Sequence, residues 1–197
     1  MEFKDFNLDK KIIEALDIIG YKEATKVQES TMLQILSGKD VVIFEKTGMG
    51  KTAAFTVPLC EKIDWNINSP QVLVIAPTRE LAIQIAKEAE SIGRLKKIKT
   101  QSVYGKQSFE KEKINLKQRC HFVAATLGRL RDHIEKGTIN LDNVKYVVMD
   151  EFDELIKTGF LDDLDFVMSK LTNVEQKILV SATIPSYLDE VISKYLN

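Results

Sequence analysis

At 197 residues, with 44% hydrophobic and 29% charged residues, the chain has the size and composition of one well-buried globular domain, which excludes a disordered or low-complexity segment. A formal net charge of −1 gives no global attraction to nucleic acid, and no apolar run approaches the ~18 residues of a membrane span, so no membrane partner is expected. Cys60, Cys120, His121 and His133 lack ligand-like spacing and read as structural side chains, the two thiols as buried groups of a reducing, cytoplasmic compartment.

The N-terminus, Met1 to Phe6, is charged and has no signal-peptide apolar stretch. Thr25-x-x-Gln28 has the form of a helix capping box. Val41-Val42-Ile43-Phe44 reads as a buried strand, and Ala53-Ala54-Phe55 as the start of a helix. Between them stands Glu45-Lys46-Thr47-Gly48-Met49-Gly50-Lys51-Thr52. Strand, glycine loop, Lys-Thr and helix is the order a phosphate-binding loop needs. Gly48 and Gly50 would let the backbone approach phosphate oxygens, and the helix N-terminus would face the anion. Lys51 could reach the outer phosphates, and the Thr52 hydroxyl could ligate Mg²⁺. An ordinary strand-to-helix turn is the competing reading.

Further apolar runs follow at Val72–Ala76, His121–Ala125, Tyr146–Met149 and Ile178–Val180, with Thr100–Tyr104 as a weaker strand. They are Val- and Ile-rich and mostly continuous, which implies burial on both faces in a parallel sheet. Helix-like segments lie between or beyond them at Glu80–Ile92, Phe109–Leu116, Leu130–Glu135 and Leu161–Leu171. The alternation implies an α/β fold with ligands at the carboxyl ends of the strands. Polar motifs stand at those ends: Pro77-Thr78-Arg79-Glu80-Leu81-Ala82, Thr126-Leu127-Gly128-Arg129, Asp150-Glu151-Phe152-Asp153 and Ser181-Ala182-Thr183. Asp150 could hold Mg²⁺ opposite Thr52, and Glu151 could orient or deprotonate an attacking water. The bland reading of these acids is a solvated helix N-terminus. The clusters Arg94 to Lys99 and Lys111 to Arg119 read as solvated basic faces.

Over essentially its whole length, and in motif order, the chain resembles the first RecA-like domain of a DEAD-box RNA helicase. Lys51-Thr52 and its loop resemble motif I, and Pro77 to Ala82 is a full match to motif Ia. Thr126 to Arg129 resembles motif Ib, Asp150 to Asp153 the Asp-Glu-Ala-Asp box, and Ser181 to Thr183 motif III. Gly20 to Gln28 looks like the Q motif, with Phe3 as the isolated aromatic 17 residues before Gly20. The resemblance implies one domain over residues 1–197, with a Q motif at 1–28 and an ATP-binding core at 40–197. The fold would be a RecA-like P-loop sheet with helices on both faces. Phe3, Tyr21, Thr25 and Gln28 would hold the base of ATP, and residues 45–52 its phosphates. Gln28 would then read adenine as well as cap a helix. Pro77, Thr78, Arg79, Gly105, Thr126, Gly128 and Arg129 would contact the RNA backbone, Arg129 with its guanidinium fork. Ser181 and Thr183 would hydrogen-bond Asp153 and couple the ATP site to domain closure.

Three positions depart from the family pattern. Glu45 stands where the loop normally has a small residue, and its carboxylate would repel phosphates. Leu127 replaces a proline, which would loosen that loop, and Phe152 replaces an alanine, which raises a packing question. Lys106 occupies a usual glycine position. Tyr104 to Phe109 and Asp132 to Gly137 look like the bacterial ribosome-assembly branch of DbpA type. The resemblance implies an ATP-dependent RNA helicase whose second RecA-like domain lies outside this chain. By itself the chain would then be monomeric and inactive or very weak. The alternative is a degenerate helicase domain that binds RNA or protein with weakened ATP binding.

Overall fold

The computed structural model describes residues 1–44, 50–183 and 188–196. Among these residues six strands, β1 (Val41–Phe44), β2 (Val72–Ile75), β3 (Thr100–Val103), β4 (Phe122–Ala125), β5 (Tyr146–Met149) and β6 (Gln176–Ser181), pair in the order β1-β6-β5-β2-β4-β3. Every pairing is parallel. The helices are α1 (Lys10–Ile18), α2 (Lys26–Leu36), α3 (Lys51–Lys62), α4 (Arg79–Gly93), α5 (Phe109–Lys117), α6 (Leu127–Glu135), α7 (Phe152–Lys157), α8 (Leu161–Ser169) and α9 (Leu188–Tyr195). A short 3-10 turn at Phe3–Phe6 precedes them.

The continuous apolar strands have the physical cause the sequence suggests. Side chains alternate between the two faces of a strand, so an all-apolar strand feeds two cores. Val72, Val74, Phe122, Ala124, Tyr146 and Val148 enter the core covered by α1 to α4. Leu73, Ile75, Val123, Ala125, Val147 and Met149 enter the opposite core, with residues of α5 to α9. The central strands β2, β4 and β5 are buried at every position, whereas edge strand β3 is half-buried except at Val103. Cys60 and Cys120 lie in these cores, and burial pushes both thiols up to about 12, so they are inert at neutral pH. His121 and His133 are also fully buried, in structural roles.

Several boundaries move. Strand β6 begins at Gln176, ahead of the expected Ile178. The Gln176 side chain is buried and its amide donates to the carbonyls of Ile35 and Lys39, closing the end of α2. Helix α6 begins at Leu127 rather than Leu130, and α8 ends at Ser169 rather than Leu171. Among the described residues no helix is long and apolar enough to cross a membrane.

Candidate functional site

A cavity of about 1060 Å³ opens where β1 and β5 end and α2, α3 and α4 meet. Its wall collects residues from distant parts of the chain: Phe3, Tyr21, Thr25, Gln28, Gly50, Lys51, Thr52, Asp150 and Glu151. Leu81, Gln84 and Glu88 of α4 complete it. Gln84 and Glu88 escaped the sequence reading because they lie inside a helix and carry no motif of their own, and Leu81 stood there only as part of the Pro77 to Ala82 motif. Glu45, Lys46, Thr47, Gly48 and Met49, and the repulsion expected of Glu45, lie outside the described residues.

Gly50 is the N-cap of α3 with φ 110°, a conformation that side chains rarely adopt. Lys51 and Thr52 follow as the first helical residues, and the first turn contains no acid. The positive end of the helix dipole therefore faces the cavity without a carboxylate of its own to offset it. Gln28, almost fully buried, joins the N-terminal segment to this turn. Its Oε1 accepts from the Thr25 N–H at 2.8 Å, its own N–H donates to Thr25 Oγ1 at 3.2 Å, and its Nε2 donates to the Gly50 carbonyl at 3.3 Å. The capping box is thus present, and the same carboxamide touches the candidate phosphate loop. Each amide atom keeps capacity: one more N–H, and one more lone pair on Oε1. Capping and base reading are therefore compatible.

Phe3 is buried and stacks on Tyr21, with centroids 6.1 Å apart and planes at 21°. The Tyr21 hydroxyl donates to Glu88 Oε1 at 3.3 Å. Burial raises the pKa of Glu88, the tyrosine bond offsetting part of the rise. Phe3 is chiefly a core residue that fixes Tyr21, which presents the aromatic surface.

On the far wall, Asp150 continues the ladder through its N–H to the Ile75 carbonyl, and its Oδ1 accepts from the Glu151 N–H at 2.8 Å. Asp150 is 5% exposed, and burial pushes its carboxyl up to about 6, the Lys51 ammonium offsetting part of that rise. Glu151 caps α7 from a left-handed conformation, φ 46°, a strain of ~1–3 kcal/mol of the kind that clusters at functional sites. Its pKa is also raised by burial, with Lys51 lowering it. Asp150 and Asp153 are buried, so the reading of these acids as a solvated helix end does not hold. Magnesium fits this donor set. A buried carboxylate and the Thr52 hydroxyl, both hard oxygen ligands, line one cavity, and a cation there would relieve the desolvated charge of Asp150.

Thr183 Oγ1 donates to Asp153 Oδ2 at 3.1 Å, as expected. Ser181 does not reach Asp153; its hydroxyl donates to the Thr183 carbonyl at 2.8 Å and so holds the turn that presents Thr183. Asp153 Oδ1 is buried and has no partner in the described structure. Phe152 is accommodated: it lies fully buried, edge-on to Tyr195 at 5.8 Å between centroids.

The ends of β2, β4 and β3, adjacent in the sheet, carry the residues expected to meet RNA. Thr78, Arg79, Gly105 and Gly128 are exposed there, and Pro77 and Thr126 half-exposed. Thr78 caps α4 by accepting from the Leu81 N–H, and Arg79 pairs with Glu80 at 2.6 Å on the surface. Leu127 is buried as the first residue of α6, supplying packing where a proline would supply stiffness. Lys106 has φ 67°, which explains why a glycine suits that position.

Arg129 is held by its own protein partners. Its guanidinium donates to the carbonyls of Tyr104 at 3.4 Å and Gln107 at 2.8 Å and pairs with Glu112 Oε2 at 3.2 Å. It braces the Gly105 loop. Glu112, 3% exposed, is the hub of this brace: it also accepts from the Tyr104 N–H at 3.1 Å and bonds His133 Nε2 at 3.1 Å. Phe109 stacks on His133 at 4.3 Å. The sequence reading missed Glu112 because it sits in a lysine-rich stretch. Its spacing of four from Leu116, on the buried side of α5, was the available signal. Glu112→Ala leaves Arg129 without its anion and should cost about 3–5 kcal/mol of stability. Urea denaturation measures this, and a loss under about 1 kcal/mol would mean the hub braces nothing.

The sheet order, and a cavity at the carboxyl ends of its strands, put the chain in the class of RecA-like α/β nucleotide-binding domains. The DEAD/DEAH box helicase profile matches residues 25–191, and the chain belongs to that family. It is 44% identical over 98% of its length to the ATP-dependent RNA helicase DbpA of Bacillus subtilis, covering 40% of that protein. It is 42% identical over 98% of its length to the DEAD-box ATP-dependent RNA helicase CshA of the same organism, covering 39% of that protein. Identities this close do not single out one branch. The chain superposes on the crystal structure of a DEAD box protein from the hyperthermophile Methanococcus jannaschii with a TM-score of 0.94 and 35% identity, covering 100% of this chain and 54% of that one. The chain thus spans about two fifths of the length of these curated relatives.

Proposed function

We propose that the cavity binds ATP with Mg²⁺ and that the chain is the nucleotide-binding domain of an ATP-dependent RNA helicase. The observation that carries this reading is the meeting in one cavity of Gln28, the acid-free start of α3 and the Asp150–Glu151 pair, beside exposed strand-end loops. The relatives named as ATP-dependent RNA helicases support it, and among the described residues of the site nothing favours a degenerate binding module.

In this reading Gln28 spends its remaining amide valences on the adenine edge while Tyr21 packs on the base. Backbone N–H groups at the start of α3, with Lys51 and the loop residues 45–49, hold the phosphates. Thr52 and Asp150 hold Mg²⁺, directly or through water, and the ion when bound neutralises phosphate charge. Glu151 positions the attacking water and takes its proton; its raised pKa brings it closer to working pH. The Thr183–Asp153 bond ties α7 to the end of β6, a route by which the acidic turn and the sheet edge move together. RNA phosphates meet Arg79 and the loops at Thr78, Gly105, Thr126 and Gly128, with Arg129 acting through its hold on the Gly105 loop.

The much longer relatives support a second RecA-like domain that completes the RNA clamp and supplies arginine to the transition state. Such arginines are worth ~10³–10⁵ in rate. Residues 1–197 alone should then be monomeric, bind nucleotide weakly and unwind nothing. A cytoplasmic location follows from the same reading. The test is Glu151→Gln in a chain carrying both domains. RNA-stimulated hydrolysis should fall by about 10²-fold or more while ATP binding is retained. Near-normal turnover would reduce Glu151 to a helix cap.

A further inference from the structure

The opposite edge of the sheet, where the strands begin, carries a cluster that the nucleotide site does not use. Arg94 and Lys97 lie in the turn after α4, Lys99 leads into β3 and Arg119 precedes β4. With Glu90 and Ile98 they line a hollow of about 280 Å³. Trp65, 38% exposed in the loop before β2, stands beside it, with Lys97 Nζ 5.7 Å and the Arg119 guanidinium carbon 5.4 Å from its ring centroid. His121 binds the three segments together: Nδ1 accepts from the Lys99 N–H at 2.9 Å, so Nε2 carries the proton and donates to the Trp65 carbonyl at 3.1 Å.

Two features set this cluster apart from an ordinary solvated face. First, an exposed tryptophan is interleaved with the cations, and Lys97 and Arg119 stand over its ring. Second, Lys97 has φ 62° in a turn closed by bonds from Lys97 N–H to the Arg94 carbonyl and from Ile98 N–H to the Gly93 carbonyl. Glycine is the usual and less strained occupant of such a position. The chain thus keeps a cation there despite the backbone strain. Helix dipoles account in part for Arg94 after α4 and Arg119 after α5. They do not account for Lys99, the strained Lys97 or the exposed tryptophan. Lys96, in the same run, is different: its ammonium donates to the Cys60 and Glu61 carbonyls and closes α3.

We propose that this edge is a second RNA-binding surface, in which Arg94, Lys97, Lys99 and Arg119 hold successive phosphates of a single strand and Trp65 stacks on a base. Cations with an interleaved aromatic suit a flexible polyanion that carries flat rings. An acidic peptide would use the charge and leave the indole without a role. On binding, Lys97 and Arg119 turn from the ring to phosphates, and a ring face passes to the base. The surface lies on the sheet edge away from the ATP cavity and stands or falls independently of that site.

Trp65 is the chain's single tryptophan, so its fluorescence reports this surface and no other. Titrating residues 1–197 with a short oligouridylate should quench that emission saturably. The triple variant Arg94→Ala, Lys99→Ala, Arg119→Ala should bind about tenfold or more weakly at ~0.1 M salt. Its slope of log K against log salt should be shallower by about 2, at ~0.7 per lost phosphate contact. Lys97→Gly, which suits the turn's backbone, should weaken binding while keeping the fold. Circular dichroism and nucleotide binding verify that each variant is folded. Absence of quenching, or a triple variant that binds like the parent, would overturn the proposal. Equal affinity and quenching with a polyglutamate peptide of the same length would overturn the assignment to RNA.

Discussion

Replacing Asp150 by asparagine should stabilise the ligand-free domain at neutral pH by about 2–3 kcal/mol and weaken magnesium–nucleotide binding more than tenfold. The stability half follows from linkage. The carboxyl titrates at about 6 in the folded chain, against 3.8 as the ordinary value, chiefly because it is buried. A pKa raised by folding means that the protonated form is favoured in the folded state. The stabilising contribution is then fully present below pH 4 and is lost as the pH rises through 6. Above that, about two units at ~1.4 kcal/mol each work against the fold. Asparagine stays neutral throughout and can still accept the Glu151 N–H through its carbonyl oxygen. Urea denaturation of both forms at pH 4 and pH 8 measures the difference, which should be small at the lower pH and large at the higher. Asparagine is also a poorer ligand for a hard cation than a carboxylate, so the gain in stability comes with lost function. Equal stability of the two forms at pH 8 would show that the buried charge is already compensated within the protein.

The second large effect belongs to Gly50→Ala. A Cβ at residue 50 would stand 2.7 Å from Gln28 Nε2 in a backbone at φ 110°. Left-handed backbone costs ~1–2 kcal/mol for a residue with a Cβ. Gln28 cannot retreat without breaking its 2.8 Å bond to the Thr25 N–H, because it is buried and its carboxamide is held at both ends. We expect a total loss of about 2–4 kcal/mol, from strain plus a disturbed cap, and at least a tenfold loss of nucleotide affinity. Gln28→Ala relieves the clash, so the double variant should recover part of the stability lost in Gly50→Ala. A Gly50→Ala protein with parental stability would show that the turn relaxes freely and that the two segments are not coupled.

The fold was legible in the sequence wherever a single physical signal dominated. Strands β2, β4 and β5 feed two cores and are apolar at every position, so no competing periodicity blurs them. The start of β6 was missed because Gln176 is a buried polar residue with backbone partners in α2 and in the turn after it, a tertiary fact invisible locally. Helix α3 runs through Pro58 because residues Ala53 to Cys60 are all buried, and packing overrides the lost backbone bond. At the site, residues carrying motifs, Gly50 to Thr52 and Asp150 to Glu151, line one cavity at the ends of their strands. The connections between motifs were not legible. Nothing in the sequence says that the amide of Gln28 reaches Gly50, that Ser181 serves Thr183 rather than Asp153, or that Glu112 takes Arg129 away from the surface. Motifs specify residue types and spacing, whereas these bonds depend on side-chain directions across different elements.

The central claim, that this cavity is an adenine-nucleotide site built on Gln28, Gly50 to Thr52 and Asp150, is tested most directly by titrating the 15N-labelled chain with Mg–ADP at pH 8. That pH lies above the pKa of Asp150, so the carboxylate is ready to accept the cation. The account predicts saturable shifts, at roughly millimolar affinity or tighter, of the Gln28 side-chain amide and the backbone amides of Gly50 to Ala53 and Glu151. The same shifts should weaken when EDTA removes the magnesium and when guanine replaces adenine. Saturable binding that leaves these signals still, or no binding up to ~10 mM, would contradict it.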